Sequence, residues 1–358
     1  MNEPIASFVF NANMPRVVFG AGSLAQLPRE IELLGARRAL VLCTPPQRAS
    51  AERVAELLGE RAAGIFDGAV MHVPLEVARQ ARERAKELDA DCVVAIGGGS
   101  TVGLGKAIAL ESSLPVLAIP TTYAGSEMTP IYGLTENGIK KTGRDARVLP
   151  KTVIYDPELT MTLPAGLSVT SGINAIAHAA EGLYAQDGNP IVAMWAEAGI
   201  AALARGLAQL ADDPLDAAAR ADCLYGAWLC GAVLGNVGVA LHHKLCHTLG
   251  GSYNLPHAET HTVVLPHALA YNAKAAPQAM QRIARALGAQ DAAQGMYALA
   301  RKLGAPLALK DIGMPEGQTE RVIEIALQNP YWNPAPVEAA GLRVLLDDAW
   351  HGRAPSVS

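Results

Sequence analysis

The amino-terminal part of the chain alternates between two hydrophobic periods. Short apolar runs occupy residues 37–42 (RRALVL), 92–96 (CVVAI) and 114–119 (LPVLAI), and glycine or proline follows each of them closely. Runs of this length with such breakers predict buried strands. Residues 51–58 and 73–88 have the spacing of amphipathic helices instead. Strand, helix and strand in this order predict parallel βαβ units.

The pattern changes after Tyr155-Asp156-Pro157. From residue 167 to residue 346 the chain consists of long Ala- and Leu-rich stretches with helical spacing, and none of them predicts a strand. We therefore predict two domains. Residues 1–157 form an α/β dinucleotide-binding domain with a parallel sheet, and residues 158–358 form an all-α domain.

Composition narrows the class of protein. Half of the 358 residues are hydrophobic and 18% are charged, which excludes a disordered chain. The net charge of -5 argues against a nucleic-acid partner, because such a partner requires a basic face. The five cysteines are odd in number and form no CxxC pair, which indicates reduced, buried thiols. The sequence contains no recognisable signal peptide and no uninterrupted apolar run of about 18 residues, so we expect a cytoplasmic protein without a membrane partner.

Two loops at the ends of neighbouring strands indicate a cofactor site. Residues 95–106 read AIGGGSTVGLGK, so that a buried strand runs into glycines and a helix begins directly after them. Glycines allow the backbone to approach a pyrophosphate, and a helix amino terminus offers free N–H groups. A plain tight turn is the alternative for this loop by itself. The next strand ends in PTTYAGSE, and ligands of open α/β sheets bind at this edge, which favours a dinucleotide site. The residues predicted to bind the cofactor are Gly97, Gly98, Gly99, Ser100, Thr121, Thr122, Tyr123 and Ser126.

Four of the nine histidines have a spacing that indicates a common site. His243 and His247 lie four residues apart on a predicted helix, and His257 follows ten residues after His247 at the start of another. Asn174 and His178 are also four apart, and Glu181 lies nearly one turn further. Three histidines from different helices can bind a transition metal. Any single histidine can equally be a core residue, which is our interpretation of His72, His242, His261, His267 and His351.

These segments together resemble the iron-containing alcohol dehydrogenase superfamily. The resemblance rests on five motifs: residues 18–22 (VFGAG), the GGGS loop, the PTT turn, residues 155–159 (YDPEL), and residues 243–257 (HKLCHTLGGSYNLPH). It implies the dehydroquinate synthase-like fold and a homodimer. It also implies that one Asp and three His hold a metal, at position 174 and at His178, His243 and His257. His247 matches a family histidine that lies beside the nicotinamide.

The departures from the family pattern resemble its maleylacetate reductase branch. Position 174 is Asn, position 103 is Gly where the family has Asp, and the segments PTTYAGSEMT and NPYWNP are distinctive. The resemblance implies NAD(P)H-dependent reduction of maleylacetate, a small dicarboxylate, to 3-oxoadipate in aromatic catabolism. Because an amide oxygen balances cation charge poorly, we expect activity without bound iron or zinc. Thr44 follows the first predicted strand where relatives that prefer NAD carry an acidic residue, so we predict NADH as the main donor with NADPH tolerated.

The predicted chemistry is addition of hydride to a conjugated double bond, which produces an enolate. We assign His243 as the main donor to the enolate oxygen, with His178 and His257 in support, and Tyr331 as a residue that closes the pocket. A basic cluster at Lys140, Lys141, Arg144, Arg147 and Lys151 is a candidate entry for a dianion between the domains, or else a solvated charged hairpin. Two other functions stay open: a metal-dependent alcohol dehydrogenase, which Asn174 disfavours, and a catalytically silent dinucleotide-binding protein, which the histidine cluster disfavours.

Overall fold

The structure, a computed structural model, describes residues 7–136 and 139–356. They divide into two compact units. One unit is Asn13–Leu163, and the other begins at Pro164 and includes residues 7–12. The division falls one short 3₁₀ turn after the boundary at residue 157 that the sequence pattern suggested, because Pro157–Thr160 still packs with the first unit.

The first unit is an α/β layer structure around a parallel sheet of six strands. Its order is β1-β8-β5-β4-β2-β3, and every pairing in it is parallel. A separate antiparallel hairpin is formed by β6 and β7. The strands are β1 Arg16–Phe19, β2 Ala39–Leu42, β3 Ala62–Phe66, β4 Cys92–Gly97, β5 Val116–Pro120, β6 Ile131–Glu136, β7 Ile139–Arg144 and β8 Thr152–Tyr155; the helices are α1 Leu27–Leu33, α2 Arg48–Leu58, α3 Leu75–Glu87 and α4 Gly99–Ser112.

The alternation of side chains along the buried strands divides the core of this unit into two layers. Val41 and Ile96 face one layer, where α1 and α2 pack. Leu40 and Val93 face the other, where α3 and α4 pack. Both faces of the central strands are therefore apolar, as continuous apolar runs require. The parallel α/β fold class is confirmed. Each fully buried aliphatic side chain contributes about 1.5–3 kcal/mol to the free energy of unfolding.

The second unit is helical. Its helices are α5 Ala165–Gly182, α6 Pro190–Asp212, α7 Ala217–Asn236, α8 Leu241–Tyr253, α9 His257–Asn272, α10 Pro277–Leu287, α11 Ala292–Lys302, α12 Thr319–Gln328 and α13 Ala339–His351. Asn189 caps α6, because its Oδ1 accepts hydrogen bonds from the amides of Ile191 and Val192. One apolar core lies among α8, α9, α12 and α13.

Among the described helices, α6 is long and apolar enough to cross a membrane, and α7 with α8 would pass only as a pair bent by 95°. Half of the apolar window of α6 is buried inside the protein. Its Glu197 pairs with Arg282 and Arg285, and its Arg205 pairs with Asp222. A half-buried apolar window and ion pairs with neighbouring helices are features of a helix that packs within the helical unit.

Candidate active site

The glycine loop lies between the end of β4 and the start of α4. Gly97 has a φ of +150°, and a Cβ there would lie 2.5 Å from Thr101 Oγ1 and 2.7 Å from Gln47 Oε1. A Cβ at Gly98 would lie 2.8 Å from Thr122 Cγ2. A Cβ at Gly99 would meet no atom within 4 Å. The first two glycines are therefore required by the protein itself, whereas Gly99 leaves open space at the first turn of α4.

A chain of hydrogen bonds joins this loop to the loops on its two sides. The Thr121 amide, just after β5, donates to the Gly97 carbonyl over 3.1 Å. Gln47 Nε2 donates to Thr121 Oγ1 over 2.8 Å, and Thr44 Oγ1 donates to Gln47 Oε1 over 3.1 Å. Thr44 follows β2, so three adjacent strands contribute to one edge of the sheet. Gln47 was not among the residues predicted from the sequence.

Lys106 on α4 holds the segment that follows the second loop. Its Nζ donates to the carbonyls of Ser126, Thr129 and Ile131 over 2.6–2.8 Å and lies 2.9 Å from Thr129 Oγ1. Burial lowers the pKa of Lys106 to about 7, and the nearby Glu127 carboxyl opposes this shift. The four oxygens favour the ammonium form, which lets one side chain fix three backbone positions.

The other predicted cofactor residues have different surroundings. Ser100 lies in the first turn of α4, and Thr122 lies against Gly98. Tyr123 is fully buried, and its hydroxyl lies 3.3 Å from Thr160 Oγ1. The Tyr123 side chain therefore belongs to the core, and a contact with a bound cofactor would have to come through its backbone.

The predicted basic cluster lies on and after the β6–β7 hairpin. Lys141 pairs with Glu136 over 3.0 Å, and Arg147 pairs with Asp145 over 2.7 Å. The Lys140 side chain lies outside the described residues. The two pairs favour the solvated charged hairpin as the interpretation of Lys141 and Arg147.

Three polar residues on one face of α5 form the floor of the histidine site. Asn174, His178 and Glu181 are all buried. Glu181 Oε2 lies 2.6 Å from His243 Nδ1, and His243 Nε2 lies 2.8 Å from His178 Nδ1. A carboxylate and two imidazoles are therefore joined in one hydrogen-bonded chain between α5 and α8.

His242 and His261 belong to the same cluster, although the sequence pattern suggested ordinary core positions. His242 Nε2 lies 2.9 Å from His261 Nδ1. The His261 ring centroid lies 4.4 Å from that of His257, 5.0 Å from that of His243 and 6.0 Å from that of His178. Burial lowers the pKa of both His242 and His261 well below the ordinary value, so both are neutral at pH 7. Their addition to the site is a correction to the sequence-based interpretation.

The donor atoms of His242, Cys246 and His261 lie within 4.8 Å of one another, which is a distance that a metal ion could bridge. The remaining nitrogens, His242 Nδ1 and His261 Nε2, are buried without a hydrogen-bond partner among the described residues. Imidazoles that bind a metal almost always donate their second N–H to an acceptor. The trio therefore has the spacing of a metal site without the supporting contacts.

His247 lies one turn after His243 on α8 and contacts a loop from the end of the chain. Its Nδ1 lies 3.1 Å from the Tyr331 hydroxyl, and Lys244 Nζ lies 5.5 Å from the centre of the Tyr331 ring. Two reciprocal hydrogen bonds hold this loop. Asn333 Nδ2 donates to Asn272 Oδ1, and Asn272 Nδ2 donates to Asn333 Oδ1. Burial raises the pKa of Tyr331, so its hydroxyl is a donor at neutral pH. Tyr331 thus lies where it can cover the site next to His247.

The residues present do not fit the iron that the family resemblance implies. Asn174 stands at the position of the carboxylate ligand, and its Oδ1 is buried without a hydrogen-bond partner in the described part of the chain. Two imidazole nitrogens that bind one ion must both present lone pairs to it. His178 Nδ1 and His243 Nε2 instead lie 2.8 Å apart, which is the separation of a hydrogen bond between the two rings. A metal bound through both atoms would have to break this hydrogen bond.

The sequence matches the iron-containing alcohol dehydrogenase family over residues 15–157 and the carboxyl-terminal part of that family over residues 168–350. The chain belongs to this family of oxidoreductases. A maleylacetate reductase from Burkholderia cepacia is 63% identical over 98% of this chain and 99% of its own. The crystal structures of maleylacetate reductases from Agrobacterium tumefaciens and Rhizobium sp. are both 52% identical, with TM-scores of 0.95 and 0.94. They cover 98% of this chain, and 100% and 99% of their own chains respectively. These similarities confirm the predicted maleylacetate reductase branch.

Proposed function

We propose that this protein reduces the carbon–carbon double bond of maleylacetate and so forms 3-oxoadipate, with a nicotinamide dinucleotide as reductant. The hydrogen-bonded chain Glu181–His243–His178 beside Asn174 is the observation that carries the proposal. It offers proton donors at a position where the family's metal-dependent members hold a cation. The 63% identity to a maleylacetate reductase supports the same substrate.

The dinucleotide is expected on the α/β unit. Gly99 leaves open space at the start of α4, where free amide N–H groups and the positive end of the helix dipole attract a pyrophosphate. Thr121 and Thr44 flank this point on the neighbouring loops and can bind hydroxyl groups. When bound, the nicotinamide ring supplies a hydride.

The helical unit is expected to supply the proton. Hydride adds to the alkene carbon further from the ketone, and the electron pair of the double bond moves to the ketone oxygen to give an enolate. His243 is expected to donate a hydrogen bond to this oxygen from Nε2, which requires the oxygen to replace His178 Nδ1 as its partner. Such a donor contributes about 3 kcal/mol to stabilising the transition state. A proton on the carbon next to the ketone completes the saturated product. Imidazole suits this transfer because its ordinary pKa lies near neutrality.

We also propose that no bound metal is required. An enolate is far less basic than the alkoxide formed when an aldehyde is reduced, so directed hydrogen bonds can replace a cation. Asn174 and the hydrogen bond between His178 and His243 support this proposal. A cytoplasmic homodimer that acts in the degradation of aromatic compounds is part of the same proposal and is supported by the family resemblance.

The second candidate is a metal-dependent alcohol dehydrogenase, which family membership favours. One assay separates the two functions. NADH oxidation is followed with maleylacetate, with simple aldehydes and with no acceptor, before and after dialysis against a chelator. We expect NADH oxidation only when maleylacetate is the acceptor, and we expect its rate to be the same before and after treatment with the chelator. Faster turnover of aldehydes, or activity that a single metal restores, would favour the second candidate.

A further inference from the structure

Glu181 is fully buried near the end of α5, and three hydrogen bonds surround its carboxylate. Its Oε1 accepts from the amide of His242 over 2.7 Å. Its Oε2 accepts from the amide of Ala240 over 2.7 Å and lies 2.6 Å from His243 Nδ1. The side chain thus holds the amino terminus of α8 and one ring of the histidine site at the same time.

The contact with His243 determines which nitrogen of that ring carries a hydrogen. Both oxygens of this carboxyl group accept from backbone amides, so we place the hydrogen between Glu181 and His243 on His243 Nδ1. The opposite nitrogen, Nε2, then becomes the atom that can exchange a proton. This is the relationship of an orienting carboxylate to the histidine in a catalytic triad.

We propose that Glu181 is a positioning residue that holds His243 in the Nδ1–H form and fixes the orientation of its ring. With Nδ1–H held by Glu181, a proton that His243 passes to the substrate carbon leaves from Nε2, the nitrogen that lies 2.8 Å from His178 Nδ1, and a proton from solvent replaces it there. The inference rests on the proposed function, in which His243 serves the enolate. It adds a second requirement to that function, namely a carboxylate that never touches the substrate.

The test is Glu181→Gln, which keeps the size of the side chain and replaces one acceptor oxygen by a donor. The amide oxygen can still accept from the His242 amide. The amide nitrogen, in the place of Oε2, loses the bond from the Ala240 amide and can only donate towards His243 Nδ1, which favours the opposite tautomer. We expect kcat with maleylacetate to fall at least ~100-fold, as when the orienting carboxylate of a triad is replaced by its amide. The KM for maleylacetate and the affinity for NADH are expected to change little. The solvent deuterium isotope effect on kcat is expected to rise, because proton transfer becomes the slow step.

Asp187→Asn is the matched control. Asp187 Oδ1 accepts from the amide of Gly238 over 2.9 Å, so it fastens the same connection between α7 and α8 without contacting a histidine. We expect this variant to keep the wild-type kcat and isotope effect. An equal loss in both variants would show that Glu181 acts through the backbone, and would overturn the proposal.

Nitrogen NMR of ¹⁵N-histidine-labelled wild-type protein gives a readout that needs no substrate. We expect His243 Nδ1 to be protonated in the wild type and unprotonated in Glu181→Gln. An unprotonated Nδ1 in the wild type overturns the proposal, even if the variant fails to fold. A protein that shows the expected tautomer but does not reduce maleylacetate would contradict the proposed function and not the positioning role.

Discussion

The amide of Thr121 donates a hydrogen bond to the carbonyl of Gly97, and this bond of 3.1 Å joins the loops at the ends of β5 and β4. The loops are parts of one platform, because Gln47, in the turn after β2, donates a hydrogen bond to Thr121 Oγ1. A rigid platform with bare backbone at its centre is suited to a ligand that must approach closely, such as a pyrophosphate.

Gly99→Ala tests this platform without disturbing the fold. The added Cβ would meet no protein atom within 4 Å, so we expect an unchanged Tm. We expect the Kd for NADH to rise on the order of 10-fold, or about 1.4 kcal/mol, because the methyl group would occupy space needed by the phosphates. Fluorescence titration with NADH measures the affinity. The control is Gly166→Ala, an equally open position in the first turn of α5, where wild-type affinity is expected. Unchanged affinity in Gly99→Ala would place the phosphates elsewhere.

His243→Ala tests the main proton donor. We expect kcat to fall at least ~100-fold, about 2.7 kcal/mol, with the Kd for NADH little changed. Steady-state kinetics with maleylacetate and a separate NADH titration measure the two effects. His351→Ala, at an exposed position on α13, serves as the control. Wild-type turnover in His243→Ala would refute the assignment.

Asn174→Asp tests why the metal position differs from the family pattern. A buried carboxylate without a partner is costly, and a divalent ion between Asp and the histidines would relieve that cost. In the presence of a chelator, we expect the variant to have a lower Tm than the wild type. Addition of Zn²⁺ is expected to raise the Tm of the variant towards that of the wild type. Asn189→Asp is the matched control, since Asp can cap α6 as Asn189 does. If Zn²⁺ raises the Tm of the wild type as much as that of Asn174→Asp, Asn174 does not prevent metal binding.

The residue at position 44 bears on the preference between NADH and NADPH. A threonine can bind a ribose hydroxyl and does not repel a 2′-phosphate, so we expect NADH to be the better donor and NADPH to be accepted. Thr44→Asp should lower kcat/KM for NADPH more than for NADH, because the new charge repels the phosphate. A wild-type kcat/KM for NADPH more than about 100-fold above that for NADH, or about 2.7 kcal/mol, would contradict this expectation.

The burial of His267 predicts that the folded protein loses stability in acid. Burial lowers the pKa of this imidazole from the ordinary 6.5 to about 4. Between these pH values the unfolded chain binds more protons than the folded one, so the free energy of unfolding falls as the pH drops from 6.5 to 4. The shift corresponds to at most about 3 kcal/mol. Urea unfolding across this range should therefore show a shallower pH dependence for His267→Gln than for wild type or for His351→Gln. Equal slopes in all three would exclude His267 as the cause.

The hydrophobic pattern predicted the strands that are buried on both faces. β2, β4 and β5 lie inside the sheet between neighbours, so each is a continuous apolar run. The pattern missed β1 and β3, which lie at the edges with partly exposed residues. It also missed β8, a buried inner strand whose apolar run covers only residues 153–155. Strands that need their neighbours to become buried carry too weak a local signal.

The sequence predicted the site residues that are related by their spacing along a single helix. His257 and His261 have the same separation of four residues as His243 and His247, and this signal could have placed His261 in the cluster. The contact between Glu181 and His243 spans 62 residues and two helices, which no local pattern encodes. Lys106 did leave a trace, because it is a single charge within the apolar stretch GLGKAIAL.

The pairing of the first strand with the last one in the sheet has a consequence for how the chain is made. β1 lies at an edge of the sheet and pairs only with β8, so it cannot pair until Tyr155, the last residue of β8, has left the ribosome. The sheet-forming unit ends at Leu163, which allows it to close while the helical unit is still being translated. Phe10 has a longer delay, since its ring packs against Trp195 of α6. Synthesis from the amino terminus therefore allows the sheet to close before residues 7–12 can pack against the helical unit to which they belong.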